Sequence, residues 1–364
     1  MSRANSNHTP PQVIAEIGVN HNGDLGMAKE LVHVAAESGC AFAKFQTFNP
    51  EKLVMREVAM VDYQQKNTGG SSQKQMLDAL AMPFDWHEVL IDLCSSIGIQ
   101  FASTGFDIDS VSFLSSLGVP FIKIPSGEIT NAPLLLHVGR QNLPLILSTG
   151  MATMSEINDA VNILIWARSN SGHPDSMQAV RDQCAYSLQT KSFTDLIPDL
   201  TVLQCTSLYP TPASLANLAC LTTIKEVFGL PVGFSDHTRG TLAPVVATSL
   251  GATIIEKHIT LDRKLPGPDH KASIEPSELM ELVSLIREAH QMLGNGIKEP
   301  SVEEQSQMGL IRESLVAATD IVVGDVFTES NVTTTRISDA ASAIGYWDLL
   351  GTKASKSYLA GDPI

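Results

Sequence analysis

Apolar residues along this chain gather into eight short runs that alternate with stretches of helical periodicity. The runs are VIAEIGVN from Val13, FAKFQTF from Phe42, QFASTGF from Gln100 and FIKIPSGE from Phe121, then LILSTGM from Leu145, LTVLQCT from Leu200, VGFSDHT from Val232 and IIEKHITL from Ile254. Runs of this length read as strands covered on both faces, the habit of parallel sheets. Between them, Leu25, Ala28, Leu31, Val32 and Ala35 recur at helical spacing, with Asp24 placed to cap the start and Gly39 to end it. A second helix is expected over WHEVLIDLCSSIG, opened by Pro83 or Asp85 and closed by Gly98, and a last one over ELMELVSLIREAHQMLG after Pro276-Ser277. This alternation predicts an α/β fold, a closed (β/α)8 TIM barrel.

Such a barrel uses roughly 250 residues, and the character of the chain changes after Gly296. The predicted division is a disordered N-terminus over 1–12, the barrel over 13–296, a charged, proline-containing linker over 297–310 and a small β-rich domain over 311–364. A final segment that short makes a marginal core and gains stability by packing on something else. Two polar stretches interrupt the pattern: 49–75, containing GGSSQ, read as a lid, and 169–199, read as an inserted loop.

Composition narrows the function classes. The 364 residues are 43% hydrophobic and carry a formal net charge of -15. That charge argues against a nucleic-acid or anionic-membrane surface and makes any basic residue at a strand end stand out as a local anion site. The five cysteines are odd in number and form no CxxC or CxxH pattern, which fits a reducing cytoplasm better than a disulfide framework. No apolar run approaches the roughly 20 residues of a membrane span. The polar start, MSRANSNHTPPQ, lacks the apolar core of a signal peptide. A soluble cytoplasmic protein is expected.

Nearly every strand delivers a polar or ionisable residue near its C-terminal end. Core strands have no use for Glu16, Lys44, Lys123, Glu128, His237 and His258, since burying an unpaired charge costs several kcal/mol. In a closed barrel these groups converge on the face that holds active sites. The strand period of two puts Glu16, Gly18 and Asn20 on one face, Lys44 with Gln46, and Glu256 with His258. Lys44 and Lys123, with Thr104, Ser126, Ser148 and Thr149, suit the phosphate or carboxylate of a small substrate, the alternative being a structural ion pair. His237 and His258 close neighbouring strands and suit a divalent metal with open positions, or a hydrogen-bonded pair without one; His21 and His270 are further nearby candidates. Glu128, just past PSG, is a candidate general acid or base, or a solvated loop glutamate.

These segments carry a family resemblance. AEIGVNHNG, KFQT, KIPSGEITN, ILSTGMA, CTSLYPTP, GFSDHT and EKHITLDRKLPGPDHKASIEP together resemble the sialic acid synthase family of nonulosonate synthases over about 13–296, and RESLVAATDIVVGDVFTESNV with YWDLLGTKASKSY resembles the antifreeze-like SAF domain that ends those enzymes. The resemblance implies condensation of phosphoenolpyruvate with an open-chain N-acetylated mannose-type sugar, giving a nine-carbon 2-keto acid and phosphate. It implies that Lys44, Thr104, Lys123, Ser126 and Ser148 hold phosphoenolpyruvate, with Ser207 and Ser235 contributing. It further implies that His237 and His258 bind manganese or magnesium, that Glu16, Tyr209 and Asp269 contact the sugar, and that Glu128 serves proton transfer, with Glu16 and Asp269 as further catalytic candidates. A domain-swapped homodimer is implied as well, in which Arg336 of one tail reaches the sugar's acyl group in the other barrel.

Departures from the pattern point to a branch. Ser207 stands where sialate-type enzymes often carry Asn, Gln204 where many carry His, and Gly105 and Asp107 where they typically read STPF. GEITN, TLD and KAS look more like the branch that makes legionaminic acid from a 2,4-diacetamido-trideoxy mannose. In the tail, Thr335-Arg336-Ile337-Ser338 replaces the usual KRPG. Two other classes remain open from the residues alone, a metal-dependent pyruvate aldolase and a non-catalytic carbohydrate-binding protein.

Overall fold

The structure is a computed structural model that describes residues 9–53, 72–337 and 341–364. Eight parallel strands, β1 Gln12–Gly18, β2 Phe42–Thr47, β3 Gln100–Gly105, β4 Ile122–Ile124, β5 Leu145–Ser148, β6 Leu200–Cys205, β7 Val232–Asp236 and β8 Ile254–His258, form a closed barrel in sequence order. Closure is made by β1, whose Glu16 lies in register with Lys44 of β2 on one side and His258 of β8 on the other. The strands begin within a residue of the expected positions and end sooner. Parallel pairing stops where the chain turns, at Pro125 after β4 and at Gly150 and the left-handed Met151 after β5.

Outward-facing strand residues such as Ala15, Ile17, Phe45, Leu147 and Val202 pack with helix residues Leu31, Leu90, Leu164 and Leu282 into the main core. The helix Leu25–Glu37 begins at Asp24, whose carboxylate accepts from the Met27 N–H at 2.8 Å, and Gly39 takes the left-handed φ of 78° that ends it. Inside the barrel a second cluster, Ile14, Phe42, Ala102, Phe121, Ile146, Leu203 and Ile254, closes the end opposite the active face. Gly233 belongs with it: a Cβ there would lie 2.5 Å from Leu203 Cδ2 and 2.6 Å from the Ile254 carbonyl oxygen.

Several expectations need correction. The stretch 169–199 is not a loop, because Ser176 and Ser192 cap helices Met177–Ser187 and Phe193–Leu196, and Val180 and Cys184 of the first are buried. The expected linker contains a helix, Val302–Ile311, started by a capping box between Ser301 and Glu304. Asn20 does not continue the inward row of β1. Gly18, at φ 55°, breaks the alternation, and the Asn20 amide instead donates to the Ile259 carbonyl and Ser273 Oγ. The expected lid is bounded by helices Pro50–Leu53 and Gln73–Leu80, while 54–71 lie outside the described residues. The expected disordered N-terminus also falls mostly outside them, although Gln12 already belongs to β1.

The chain divides into two compact units between Gly294 and Asn295. In the second, β9 Ser314–Ala317 pairs antiparallel with β10 Val332–Thr335 over a core of Leu315, Ile321, Phe327, Val332 and Tyr358. Among the described residues no helix is long and apolar enough to cross a membrane.

Candidate active site

Inward alternation and the strand ends build a cavity of about 410 Å3 at the C-terminal face of the barrel. Its floor is an ion network of Glu16, Lys44, Lys123 and Glu256, all buried. Lys123 donates to both carboxylate oxygens of Glu256, at 2.7 and 2.9 Å, and Ser235 adds a bond of 2.8 Å to one of them. Lys44 is paired with Glu16, donates to Thr104 Oγ1 at 2.9 Å and lies 3.4 Å from Glu256. Gln46 donates to Glu16 at 3.0 Å.

Burial and pairing pull these groups in opposite directions. Burial alone would raise the Glu256 carboxyl, but Lys123 and Lys44 hold it well below the usual carboxylate range. Burial raises Glu16, with Lys44 only partly opposing. Burial would lower Lys44, yet Glu16 and Glu256 reverse this and hold its ammonium above its ordinary value. Lys123 stays lowered by burial despite Glu256. Two ammonium groups facing two carboxylates leave the floor balanced until an anionic ligand competes for the lysines.

Hydroxyls form the wall above. Ser126, Ser148, Ser207 and Ser235 line the cavity with Thr104. Ser126 Oγ accepts from the Gly150 N–H at 2.9 Å, and a Cβ on Gly150 would lie 2.2 Å from Ser207 Oγ, so only glycine lets this turn approach the wall. Ser148 Oγ is buried without a hydrogen-bond partner, an arrangement that costs free energy unless a ligand completes it.

On the other side, His237 and His258 stand with ring centroids 5.5 Å apart, and Tyr209 packs on His237 at 4.0 Å. His237 Nδ1 donates to the Thr206 carbonyl at 2.8 Å, which directs Nε2 away from that bond. Burial would lower this imidazole, yet the Cys205 thiol beside it and the Thr206 carbonyl outweigh burial and hold it above its ordinary value, so it must shed that proton to serve as a ligand. His258 Nδ1 is buried without a hydrogen-bond partner. Burial and the neighbouring His237 hold His258 well below its ordinary value, as a neutral ligand nitrogen requires. The Asp269 carboxylate lies 4.0 Å from His258 Nδ1, and burial, with the charge of Glu16, raises it to about 6. Among the described residues no group of three or more His, Cys, Asp or Glu is arranged for a metal. What this wall offers a divalent ion is a pair of adjacent imidazoles, one with a buried nitrogen that has no hydrogen-bond partner, and such a donor set leaves other positions to water and substrate oxygens.

Residues 31–298 match the NeuB family and residues 312–364 match the SAF domain. The chain belongs to the NeuB family. It is 42% identical over 347 residues to the N,N'-diacetyllegionaminic acid synthase of Campylobacter jejuni, covering 95% of this chain and 96% of that one. The enzyme of the same name from Legionella pneumophila is 42% identical over 350 residues, covering 96% and 92%. The crystal structure of N-acetylneuraminic acid synthetase from Leptospira borgpetersenii superposes with a TM-score of 0.67 at 30% identity, covering 83% of this chain and 91% of that one.

Within this NeuB-family barrel, most of the residues expected at the site share one cavity, with Asp269 beside it. Three do not. Thr149 is buried with its hydroxyl donating to the Leu203 carbonyl at 2.8 Å instead of lining the cavity. Glu128 ends the 3-10 turn Ser126–Glu128, its carboxylate accepts from Asn131 at 2.6 Å, and it lines a neighbouring cavity with Phe106, Asp107 and Leu134. Arg336 is exposed just after β10, in the second compact unit. Sequence reasoning placed Glu256 on the inward face without giving it a role, and passed over Cys205, although the strand period reaches it two residues past the inward Leu203. It also passed over Phe106, Met151 and Gln73, which come from turns and a helix where that period does not apply.

Proposed function

We propose that this chain is a nonulosonic acid synthase that condenses phosphoenolpyruvate with an open-chain N-acetylated mannose-type sugar, giving a nine-carbon 2-keto acid and phosphate. A 2,4-diacetamido-trideoxy mannose, the legionaminate-type acceptor, is favoured over N-acetylmannosamine. Identity of 42% over nearly the whole length of two legionaminic acid synthases supports this choice. The observation that carries the reaction class is the paired-lysine floor under a hydroxyl wall. A pyruvate aldolase has no phosphate to hold, and a binding protein has no use for four buried charges.

In this reading Lys44 and Lys123 take the carboxylate and phosphate of the donor, with Thr104, Ser126, Ser148, Ser207 and Ser235 donating hydrogen bonds to the same oxygens. Glu256 fixes both ammonium groups before the donor arrives. Glu16, Tyr209 and Asp269 orient the sugar so that its aldehyde faces the enol carbon. Holding the two reactants together supplies about 7 kcal/mol or more in favourable cases. His237 and His258 would hold manganese or magnesium, which when bound supplies Lewis-acid polarisation of the aldehyde. Attack by the enol carbon forms the new C–C bond and leaves cationic character on the substituted carbon; water adds there, and the tetrahedral adduct expels phosphate. A proton-transfer role for Glu128 requires its carboxylate to leave Asn131 and turn into this cavity. Five unpaired cysteines, of which Cys40, Cys94, Cys184 and Cys205 are buried, support a reducing cytoplasmic setting.

The test is phosphate release from phosphoenolpyruvate with each acceptor. Release that depends on the sugar, stops with a chelator and returns with manganese or magnesium is expected; turnover of pyruvate in place of phosphoenolpyruvate overturns the reading. We also propose a symmetric dimer in which Arg336 of one copy serves the barrel of its partner. Heterodimers of Lys123→Met and Arg336→Ala chains then regain activity that neither homodimer has, because one site draws both intact parts. Verified heterodimers without recovery exclude the exchange.

A further inference from the structure

We propose that Met151 is a specificity-determining residue that packs against an apolar substituent of the acceptor sugar, an acetamido methyl or a deoxy carbon. The proposal rests on the synthase reading given above and names what that site selects. Met151 lines the cavity, yet the residue is 75% exposed, the most open of the large apolar residues at that site. Its backbone sits at φ 65°, a left-handed conformation that an L-residue with a Cβ adopts at a cost.

The turn explains the conformation but not the side chain. The Ala152 N–H closes on the Thr149 carbonyl at 3.1 Å, so Met151 is the third residue of a four-residue turn, and a positive φ at that place is what glycine supplies in type II turns. Gly150, the second residue, is fixed by its closeness to Ser207 and by its bond to Ser126. If turn geometry were the only demand, glycine at 151 would serve better. A methionine there puts a long, polarisable apolar side chain on a rigid support at the edge of a polar cavity.

The rest of the edge has the same character. The strands supply charge to the floor, whereas the turns after them supply Phe106, Pro125, Met151 and Tyr209. Phe106 is braced edge-on by Phe48 at 6.0 Å, and Tyr209 packs at a tilt over His237 at 4.0 Å. A donor made of phosphate and carboxylate has nothing to gain from such an edge. An acceptor carrying two acetamido methyls and a deoxy carbon does, and N-acetylmannosamine, with one acetamido methyl and more hydroxyls, gains less.

The experiment compares wild type with Met151→Gly and Met151→Leu, measuring kcat/KM for both acceptors at saturating phosphoenolpyruvate, the KM for phosphoenolpyruvate, and Tm. Met151→Gly is expected to keep or raise Tm, to leave the KM for phosphoenolpyruvate within twofold, and to cut the preference for the diacetamido-trideoxy acceptor by about tenfold, within the range one apolar contact gives. Met151→Leu, which keeps an apolar side chain, retains the preference within about threefold. An unchanged preference in Met151→Gly overturns this assignment alone. No sugar-dependent phosphate release by wild type with either acceptor overturns the synthase reading and this assignment together.

Discussion

The barrel interior has two parts that differ by one step of the strand period. Ile14, Phe42, Ala102, Phe121, Ile146, Leu203 and Ile254 pack together as an apolar plug. Two residues further along the same strands stand Glu16, Lys44, Thr104, Lys123, Ser148, Cys205 and Glu256, the floor and wall of the cavity. The remaining strand, β7, follows the rule, with Gly233 in the plug and Ser235 in the cavity. Both parts are buried, so burial alone does not separate function from packing. What separates them is the cost of what is buried. The plug gains free energy from removal of apolar surface, about 25 cal/mol per Å2. The charged set recovers its desolvation cost only through the pairing of Lys44 and Lys123 with Glu16 and Glu256.

The sharpest break of this contrast is Lys123→Met. It leaves Glu256 buried without its two strongest bonds, and stability should fall by about 3–5 kcal/mol. Turnover should fall about 100- to 1000-fold, the usual cost of losing one preorganised charged donor. Adding Glu256→Gln removes the uncompensated carboxylate, so most of the stability returns while activity does not. Denaturant midpoints and phosphate release on the single and double variants separate the two effects. A double variant as unstable as the single one rules out the uncompensated charge as the cause.

The same contrast governs what was legible in the sequence. Strand starts, the plug and most of the cavity follow from a period of two, so Lys44, Lys123 and His258 were readable as inward groups from the chain alone. Strand ends were not, because backbone conformation sets them: the register shifts at Gly18, and the chain turns at Pro125 and at the left-handed Met151. Asn20 was misplaced for that reason, and Glu128 was aimed at a cavity it does not line. The helix Met177–Ser187 escaped notice because it buries little, and its polar surface reads as a loop. Arg336 belongs to the second compact unit, and no periodicity in the barrel bears on it.

Overfilling the plug is the next step down. In Gly233→Val the new side chain meets Leu203 and the Ile254 carbonyl at contact distances that atoms do not sustain. A loss of about 1–3 kcal/mol is expected from strain of this kind. Correctly folded enzyme should keep its KM for phosphoenolpyruvate, since the cavity groups themselves are untouched; a raised KM at full stability indicates that the two parts are not separable.

A smaller effect tests whether neutral burial behaves as pairing does. His21, at the end of β1, is fully buried, and burial lowers its imidazole to about 4. A folded value below the unfolded one of about 6.5 means the unfolded chain binds the extra proton first. Stability from this group is therefore lost as pH falls from about 6.5 towards 4, by about 2 kcal/mol at pH 5. Measured against His21→Asn, whose amide oxygen can still accept from the Gly23 N–H, wild type should lose that much more stability between pH 7 and pH 5. Parallel stability curves for the two proteins contradict the assignment.

The gentlest test crosses the boundary on one strand. Ile146 is in the plug and Ser148, two residues on, is in the cavity. Ile146→Val removes one buried methylene and should cost about 0.5–1.5 kcal/mol with catalysis unchanged. Ser148→Ala removes a buried hydroxyl that has no partner in the fold, so stability should hold or rise slightly. If that hydroxyl serves the donor, the KM for phosphoenolpyruvate rises by up to about tenfold, the worth of one hydrogen bond of about 0.5–1.5 kcal/mol. The two variants should therefore move different readouts, stability for one and donor KM for the other. Should Ser148→Ala lose stability and keep its KM, the hydroxyl belongs to the packing and the boundary between the two parts lies further along β5.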